Sequence, residues 1–282
     1  MATILIYSEK EALLRELMTA AAVISAPLGM DVRAVTIDNP EVLADTAAVA
    51  AVLEAAAADI VLLASNRRGR ELAGRLAQNM GAGCLTDVNA LSVEGQEIAC
   101  TRNALGGATV ASQSVTTAKQ VIAISPRSYA PAEGGSIETL AGGSPAVTLL
   151  GVQAKGGDSV DIEAAKILVA VGQGLEDQGD LPAVEAIARA LGGEIACSKP
   201  VATDRKWLDE ERIIGLSGKK CKPELAILMG ISGQVQFTVG IRDAKTIVSI
   251  NSDENAFMNQ MSDYYLVADI KDVLGDLQKA LG

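Results

Sequence analysis

The sequence contains no histidine in its 282 residues. This absence excludes a Ser-His-Asp triad, a histidine-ligated metal and any acid–base step by an imidazole group of this chain. Ser217 and Ser232 lie in glycine-flanked segments, but neither lies in the G-x-S-x-G pattern of a hydrolase nucleophile. The sequence therefore predicts neither a hydrolase of the usual type nor a histidine-dependent metalloenzyme.

Cysteines are few and widely spaced. Cys84, Cys100, Cys197 and Cys221 form no C-x-x-C pair, so zinc and iron–sulfur sites lack their usual ligands. Free cysteines in cytoplasmic proteins are most often buried and reduced, and they pack as small hydrophobic residues. We therefore expect buried free thiols and no metal site.

Aromatic residues make up only 2% of the chain, whereas hydrophobic residues reach 49%, with alanine, valine, leucine, isoleucine and glycine prominent. Small and branched side chains of this kind are typical of α/β proteins, in which helices pack on a sheet. The formal net charge of -11 argues against binding to nucleic acid, because phosphates require lysine and arginine.

Long hydrophobic runs are also absent. No uninterrupted apolar run approaches the ~18–20 residues that a membrane span requires. The chain enters a strand-like segment within residues 1–7, without the basic start and apolar run of a signal peptide. We expect a cytoplasmic protein that is not integral to a membrane.

Two nucleotide-binding patterns are absent or incomplete. The P-loop pattern fails because Gly218-Lys219 has no glycine five residues before Gly218. The run from Gly172 to Asp177 begins like a dinucleotide fingerprint, but Asp177 stands where the third glycine belongs. A plain strand-to-helix turn explains this run about equally well.

The most informative segment is residues 222–236. It consists of an apolar strand at residues 225–229, a glycine-flanked turn with Ser232, and the start of a helix. Gly230 and Gly233 let the backbone approach a ligand closely, and the N–H groups at a helix start attract phosphate. Because a nucleotide cannot rely on a basic surface in so acidic a chain, we predict that this turn binds a nucleotide through its backbone.

The order of apolar segments predicts an α/β domain at residues 1–125, with strands to about residue 154. Strands and helical patterns alternate first, at residues 4–7, 9–26, 32–37, 45–57, 60–64 and 69–80. Such alternation gives a parallel sheet with right-handed crossovers. Strands without helices follow, at residues 85–93, 96–102, 108–114 and 120–125. We interpret them as meander pairing at the sheet edge.

A second domain is predicted at residues 166–282. Residues 126–165 form a connection and linker, because their first part is rich in proline, glycine and serine, and a β-like run at 147–153 leads out of it. The second domain alternates predicted strands at 167–171, 194–197, 225–229, 246–250 and 265–267 with helices near 180–191, 233–240 and 271–281.

Several motifs resemble the alpha subunit of electron-transfer flavoproteins. Residues 59–73, 81–88 and 101–107 resemble its N-terminal domain, for which the family implies a role as scaffold and subunit interface. Residues 166–282 resemble its FAD-binding domain, and residues 230–236 match the family's most recognisable motif. The resemblance implies two α/β domains, each a mostly parallel sheet flanked by helices, with a Rossmann-like FAD-binding domain at the C-terminus.

The resemblance implies a set of cofactor-binding residues. Ser198 and Lys199 stand for a segment that lies against the isoalloxazine, and the Ser217 hydroxyl would hydrogen-bond the flavin N5 edge. Asn251 and Asp269 match positions that hold the nucleotide half of FAD, although each alone is explained by a cap or turn. The implied set is Gln173, Ser198, Lys199, Ile214, Gly215, Leu216, Ser217, Ser232, Gly233, Gln234, Val235, Gln236, Phe237, Asn251, Asp269 and Ile270.

Three of these positions depart from the family pattern. Phe237 replaces a histidine that donates to the O2 side of the flavin, Lys199 replaces an arginine at the isoalloxazine, and Gln173 replaces an arginine in the glycine turn. Cations and hydrogen bonds near N1 and O2 raise the potential of a flavin. We therefore expect a flavin that is more reducing, or that forms a less stable semiquinone, than in common members of the family.

The resemblance implies an electron carrier without a substrate or catalytic residues of its own. FAD in this chain would take electrons from an acyl-CoA dehydrogenase-type enzyme and pass them to a quinone reductase, another flavoprotein or a ferredoxin. A beta subunit that holds AMP or a second FAD would complete a heterodimer.

Two alternatives remain open. The first is a nucleotide-binding interaction protein that kept the fold and lost the redox function, which the three substitutions motivate. The second is a pyridine-nucleotide dehydrogenase, which is disfavoured because the fingerprint at residues 172–177 is broken. A bound nucleotide without yellow colour would favour the first alternative.

Overall fold

The computed structural model describes residues 2–105, 109–152 and 160–281. The chain forms two compact units, Met1–Gln153 and Ala154–Gly282, and each contains its own sheet. Helices cover both sheets, so the predicted fold class is confirmed. The division between the units falls inside the connection that the sequence predicts at residues 126–165.

The first unit contains a mixed eight-stranded sheet in the order β6-β5-β4-β7-β3-β1-β2-β8. Its strands are β1 Thr3–Tyr7, β2 Asp31–Ile37, β3 Ile60–Ala64, β4 Gly83–Glu94, β5 Glu97–Ala104, β6 Thr109–Ser114, β7 Gln120–Ile124 and β8 Ile137–Leu140. The β4–β5 and β5–β6 pairs are antiparallel, which confirms an edge meander. Strand β7 was wrongly placed in that meander. It lies between β3 and β4, parallel to both, because its apolar side chains are buried on both faces.

Four helices cover this sheet and create a core on each face. They are α1 Glu11–Leu28, α2 Pro40–Ala44, α3 Thr46–Ala55 and α4 Arg67–Met80. Alternate residues of β1 point to opposite faces. Leu5 packs with residues of α2, α3 and α4, whereas Ile4 and Ile6 pack with the apolar face of α1. A sheet buried on both faces is the arrangement expected of parallel α/β proteins.

Two expectations for the connection were wrong. Residues 137–140 form strand β8, which pairs in parallel with the free edge of β2, although proline and glycine surround them. Residues 147–152 form no strand, because no neighbouring strand pairs with them and Leu150 is 97% exposed. Gln153 lies outside the described residues.

The second unit contains a five-stranded parallel sheet in the order β10-β9-β11-β12-β13. Its strands are β9 Ile167–Val171, β10 Glu194–Cys197, β11 Leu225–Met229, β12 Ile247–Asn251 and β13 Tyr264–Val267. Its helices are α5 Leu181–Ala190, α6 Lys199–Thr203, α7 Val235–Thr238, α8 Phe257–Met261 and α9 Ile270–Leu281. Helix α7 is shorter than predicted, since Gly233 has a φ of +87° just before it and a turn follows at Val239.

The burial of the cysteines agrees in part with the expectation from the sequence. Cys100, Cys197 and Cys221 are buried thiols that form no disulfide, as predicted, and burial raises the pKa of Cys100 to about 11 and that of Cys197 to about 12. Cys84 is exposed, contrary to expectation, because it lies near the start of β4 and belongs to neither core of the first unit. Within the described ranges, no helix is long and apolar enough to cross a membrane.

The Asp45 carboxylate joins the segment after β8 to the start of α3. It accepts hydrogen bonds from Ala146 N at 2.8 Å and from Ala47 N at 2.9 Å. These bonds, with the Ala146 bond first, lower the pKa of Asp45 from its ordinary value because they stabilise the ionised form. With a lowered folded pKa, the attachment is complete above about pH 4 and is lost as the pH falls through that lowered value.

Asp45→Asn tests this attachment, because an amide keeps one acceptor for Ala47 N and loses the acceptor for Ala146 N. We expect the Ala146 amide to lose hydrogen-exchange protection at neutral pH, while the Ala47 amide keeps it. In the unmodified chain the same loss should occur only as Asp45 is protonated. NMR exchange rates, corrected for the intrinsic pH dependence, measure both amides. Unchanged protection of Ala146 in the variant would contradict the assignment.

Candidate functional site

The carboxyl ends of the parallel strands in the second unit bring the predicted site residues to one edge. Gly172 follows β9, Ser198 follows β10 and Gly230 follows β11. Asn251 ends β12, and Asp269 lies just after β13. We call this edge the carboxyl edge. Ligands of open α/β sheets bind outside the carboxyl ends of the strands, so the location fits a binding site.

Two glycine turns meet at the centre of the carboxyl edge. Gly172 N donates to Met229 O at 2.8 Å, and Gly174 N donates to Gly230 O at 3.0 Å. A Cβ atom on Gly172 would lie 2.2 Å from Gly230 O, closer than real atoms approach. The turns after β9 and β11 therefore pack backbone against backbone, which only glycine permits at residue 172.

A second contact joins the predicted Ser217 turn to the segment that contains α7. Gly218 N donates to Gly215 O at 3.1 Å and closes the turn around Ser217. Leu216 N donates to Gln236 O at 2.7 Å, and a Cβ atom on Gly215 would lie 2.3 Å from the same oxygen. Two motifs about twenty residues apart in the sequence thus form one surface.

The predicted site residues divide by exposure. The exposed ones are Gln173, Lys199, Leu216, Ser217, Ser232, Gln234, Val235, Gln236 and Asp269, and Ser198 is half-buried. The buried ones are Ile214, Gly215, Gly233, Phe237, Asn251 and Ile270. The exposed residues can contact a ligand directly, whereas the buried side chains shape the loops beneath it.

Asn251 holds two loops together. Its Nδ2 donates to Ile231 O at 3.0 Å, and its Oδ1 accepts from Asp253 N at 3.0 Å. Asn259 continues this network, because it accepts from the Ser249 hydroxyl at 2.8 Å and donates to Asp253 O at 3.0 Å. The amide of Asn251 is therefore largely committed within the protein. Its predicted contact with the nucleotide half of FAD stays a prediction.

The remaining predicted residues have structural partners as well. Asp269 accepts from Lys271 N at 2.8 Å at the start of α9, which is the cap that the sequence alone suggests. Ile270 is buried against Gly230. Phe237 is 7% exposed and packs in an apolar cluster of the second unit.

Comparisons with known proteins identify the family. The model described as the electron transfer flavoprotein domain matches residues 15–167, and the model described as the electron transfer flavoprotein FAD-binding domain matches residues 161–242. This chain belongs to the electron-transfer flavoprotein alpha subunit family. Its second unit carries the FAD-binding domain, and membership of the family implies a beta-subunit partner.

Individual relatives agree with this assignment. Protein FixB from Escherichia coli O127:H6 is 35% identical over an alignment of 251 residues, and the match covers 86% of this flavoprotein chain and 79% of FixB. Protein FixB from Escherichia coli O157:H7 and from Shigella dysenteriae serotype 1 is 34% identical with the same coverage. A solved structure from Mycobacterium smegmatis, described as a thiamin diphosphate-dependent enzyme, is aligned with 99% of this chain and 59% of that enzyme's chain at 12% identity. Its TM-score of 0.26 is too low to indicate a shared fold.

The carboxyl edge of this flavoprotein chain fits the chemistry of FAD. Leu216 is 69% exposed and Val235 is 52% exposed, so two apolar side chains face solvent on the surface formed by the joined motifs. The hydroxyl of Ser217 and the amides of Gln234 and Gln236 are exposed on the same two segments. Apolar surface flanked by a few hydrogen-bonding groups suits a flat heteroaromatic ring with a polar rim.

The sequence analysis missed two residues that hold loops of the carboxyl edge in place. Asn259 donates a hydrogen bond to the loop after β12, and Arg205 donates to the backbone of the turn after β9. Neither stands in a recognisable motif. Arg205 reaches a turn about thirty residues earlier in the chain, so only the tertiary structure shows its role.

Gly172→Ala tests the contact between the glycine turns. We expect the free energy of unfolding to fall by about 2 kcal/mol, because the new methyl group would overlap Gly230 O. The control is Gly275→Ala in α9, where a Cβ meets no described atom within 4 Å outside its own helix backbone. That change should raise the free energy of unfolding by about 0.5–1 kcal/mol. Equal effects in urea denaturation would contradict the proposed contact.

Proposed function

We propose that this flavoprotein chain carries electrons from an acyl-CoA dehydrogenase-type enzyme to a quinone reductase, another flavoprotein or a ferredoxin. FAD would bind at the carboxyl edge of the second unit. The observation that carries this proposal is the hydrogen bond from Leu216 N to Gln236 O, which joins the Ser217 turn to the glycine-rich turn of residues 230–236. These two segments are the ones that the family resemblance assigns to the flavin.

Bound FAD supplies the one- and two-electron chemistry that amino-acid side chains lack. Ser217 would donate to the N5 edge of the flavin, and Lys199 would lie near the isoalloxazine, with Leu216 and Val235 excluding water from the ring. The glycine turns would let the backbone approach the phosphates. Asn251 would position the loop that receives the nucleotide half of the cofactor.

The proposal includes a heterodimer with a beta subunit that holds AMP or a second FAD. Family membership supports it, and so does the edge strand β13. Tyr264, Tyr265, Leu266 and Val267 are between 46% and 68% exposed. An exposed apolar edge strand is a liability in a free protein and is usually covered by a partner.

The absorbance spectrum of the chain co-purified with its beta subunit tests the flavin. We expect flavin bands that bleach on reduction, and release of FAD on denaturation at one or two per complex. Chromatography of the released cofactor distinguishes FAD from AMP. A colourless complex, or one that releases AMP alone, would contradict the carrier function and favour a nucleotide-binding interaction protein with the same fold.

Phe237→His tests the expectation of a more reducing flavin. A donor beside the O2 side should raise the two-electron potential by about 20–60 mV, since one such hydrogen bond contributes ~1–3 kcal/mol. We expect a lower free energy of unfolding too, because the Phe237 ring is buried. The control is Phe257→His, since Phe257 is 50% exposed on α8. Equilibration with reference dyes measures the potential, and no difference between the two variants would contradict the assignment.

A further inference from the structure

The guanidinium of Arg205 hydrogen-bonds the backbone of the turn after β9. Its Nη2 donates to Gln173 O at 3.1 Å, and its Nη1 donates to Leu175 O. Its Cζ lies 4.5 Å from the centroid of the Trp207 ring. One half-buried side chain therefore bonds two carbonyls of one turn and stacks on an aromatic face.

The charge of Arg205 is directed to the backbone. Several other arginines pair with carboxylates, namely Arg15, Arg33, Arg68, Arg70, Arg75 and Arg212. In the described part of the chain no carboxylate pairs with Arg205, so no ion pair competes with its hydrogen bonds to the two carbonyls. These bonds are charge-assisted because the guanidinium is ionised. Stacking on Trp207 favours the charged guanidinium further and fixes its plane.

The other attachments of the turn are backbone contacts and the buried side chain of Leu175. On its inner side, Gly172 and Gly174 meet the backbone of Gly230 and contribute no side chains. Leu175 is buried, but Gln173 and Gly174 are exposed. On the outer side, the Arg205 guanidinium bonds the carbonyls at both of the positions that flank Gly174. A backbone held on both sides loses little entropy when it receives a ligand.

We propose that Arg205 and Trp207 form a brace that keeps the turn of residues 172–175 in the shape that binds FAD. Arg205 is a positioning residue in this proposal, and it acts on the cofactor through the backbone of the turn. The inference rests on the proposed binding of FAD at the carboxyl edge. It assigns to residues 205–207 a part in cofactor affinity.

Arg205→Ala in the complex with the beta subunit is the central variant. We expect its FAD dissociation constant to rise about tenfold, because two charge-assisted hydrogen bonds to the turn are lost. Arg205→Lys should recover part of the affinity, since an ammonium group can reach one carbonyl but lacks the planar fork. The control is Arg189→Ala, on the exposed side of α5, which should leave FAD affinity unchanged.

Trp207 reports on the brace directly, because it is the single tryptophan of the chain. Its emission, taken as the difference from the Trp207→Phe complex, should change in Arg205→Ala and stay unchanged in Arg189→Ala. Hydrogen exchange at the Gly174 amide, which is bonded to Gly230 O, should accelerate in the cofactor-free Arg205→Ala complex only.

The outcomes separate the brace from the proposed function. If the unmodified complex binds FAD and Arg205→Ala binds it as tightly as Arg189→Ala, the brace is overturned and the flavin function stands. If the unmodified complex binds no FAD, the proposed function and the role of the brace in affinity both fail. The Gly174 exchange rate then still decides whether Arg205 holds the turn. Slower FAD release from Arg205→Ala would also overturn the proposal.

Discussion

The second unit depends on one close contact, the backbone packing of the turns after β9 and β11. Gly172 and Gly174 approach Gly230 so closely that a methyl group on any of the three would overlap the backbone or side chains of the facing segment. The contact exists because β9 and β11 are parallel neighbours with aligned ends, Met229 opposite Val171. Adjacent strand ends force their loops together. Because the glycines there have no side chains, the backbone of both loops stays open to a ligand at the centre of the carboxyl edge.

The other loops of the site are fixed to that centre by polar contacts of the backbone. Leu216 N bonds Gln236 O, Asn251 bonds Ile231 O, and Arg205 bonds the turn after β9. Each bond joins segments that are far apart in the sequence. Because carbonyl oxygens receive most of these bonds, exposed side chains remain available to a ligand. An acidic chain can in this way hold an anionic cofactor without a broad basic surface.

The sequence predicts the parts of this structure that follow from local pattern. Strands with buried apolar runs, such as β9 and β11, and the amphipathic helix α5 were found close to their observed bounds. Strand β8 was missed because its four residues acquire strand structure only by pairing with β2. The common location of the predicted site residues at strand ends was predictable, since parallel strands bring those ends together. Asn259 and Arg205 were not, because their roles depend on contacts that periodicity does not encode.

Family membership constrains the fold of this site more than its redox properties. The residues that shape the loops are buried or act through the backbone, so a change such as Gly172→Ala damages the fold itself. Gln173 and Lys199 are exposed, so replacing an arginine there costs little in packing. Glutamine at residue 173 removes a positive charge, whereas lysine at residue 199 keeps the charge and loses the planar guanidinium. Phe237 belongs to both groups, because a buried ring stands where a flavin donor is expected. If FAD binds as proposed, the buried ring at residue 237 would add stability while the flavin would lack a hydrogen bond, so stability and potential would change in opposite directions at this position.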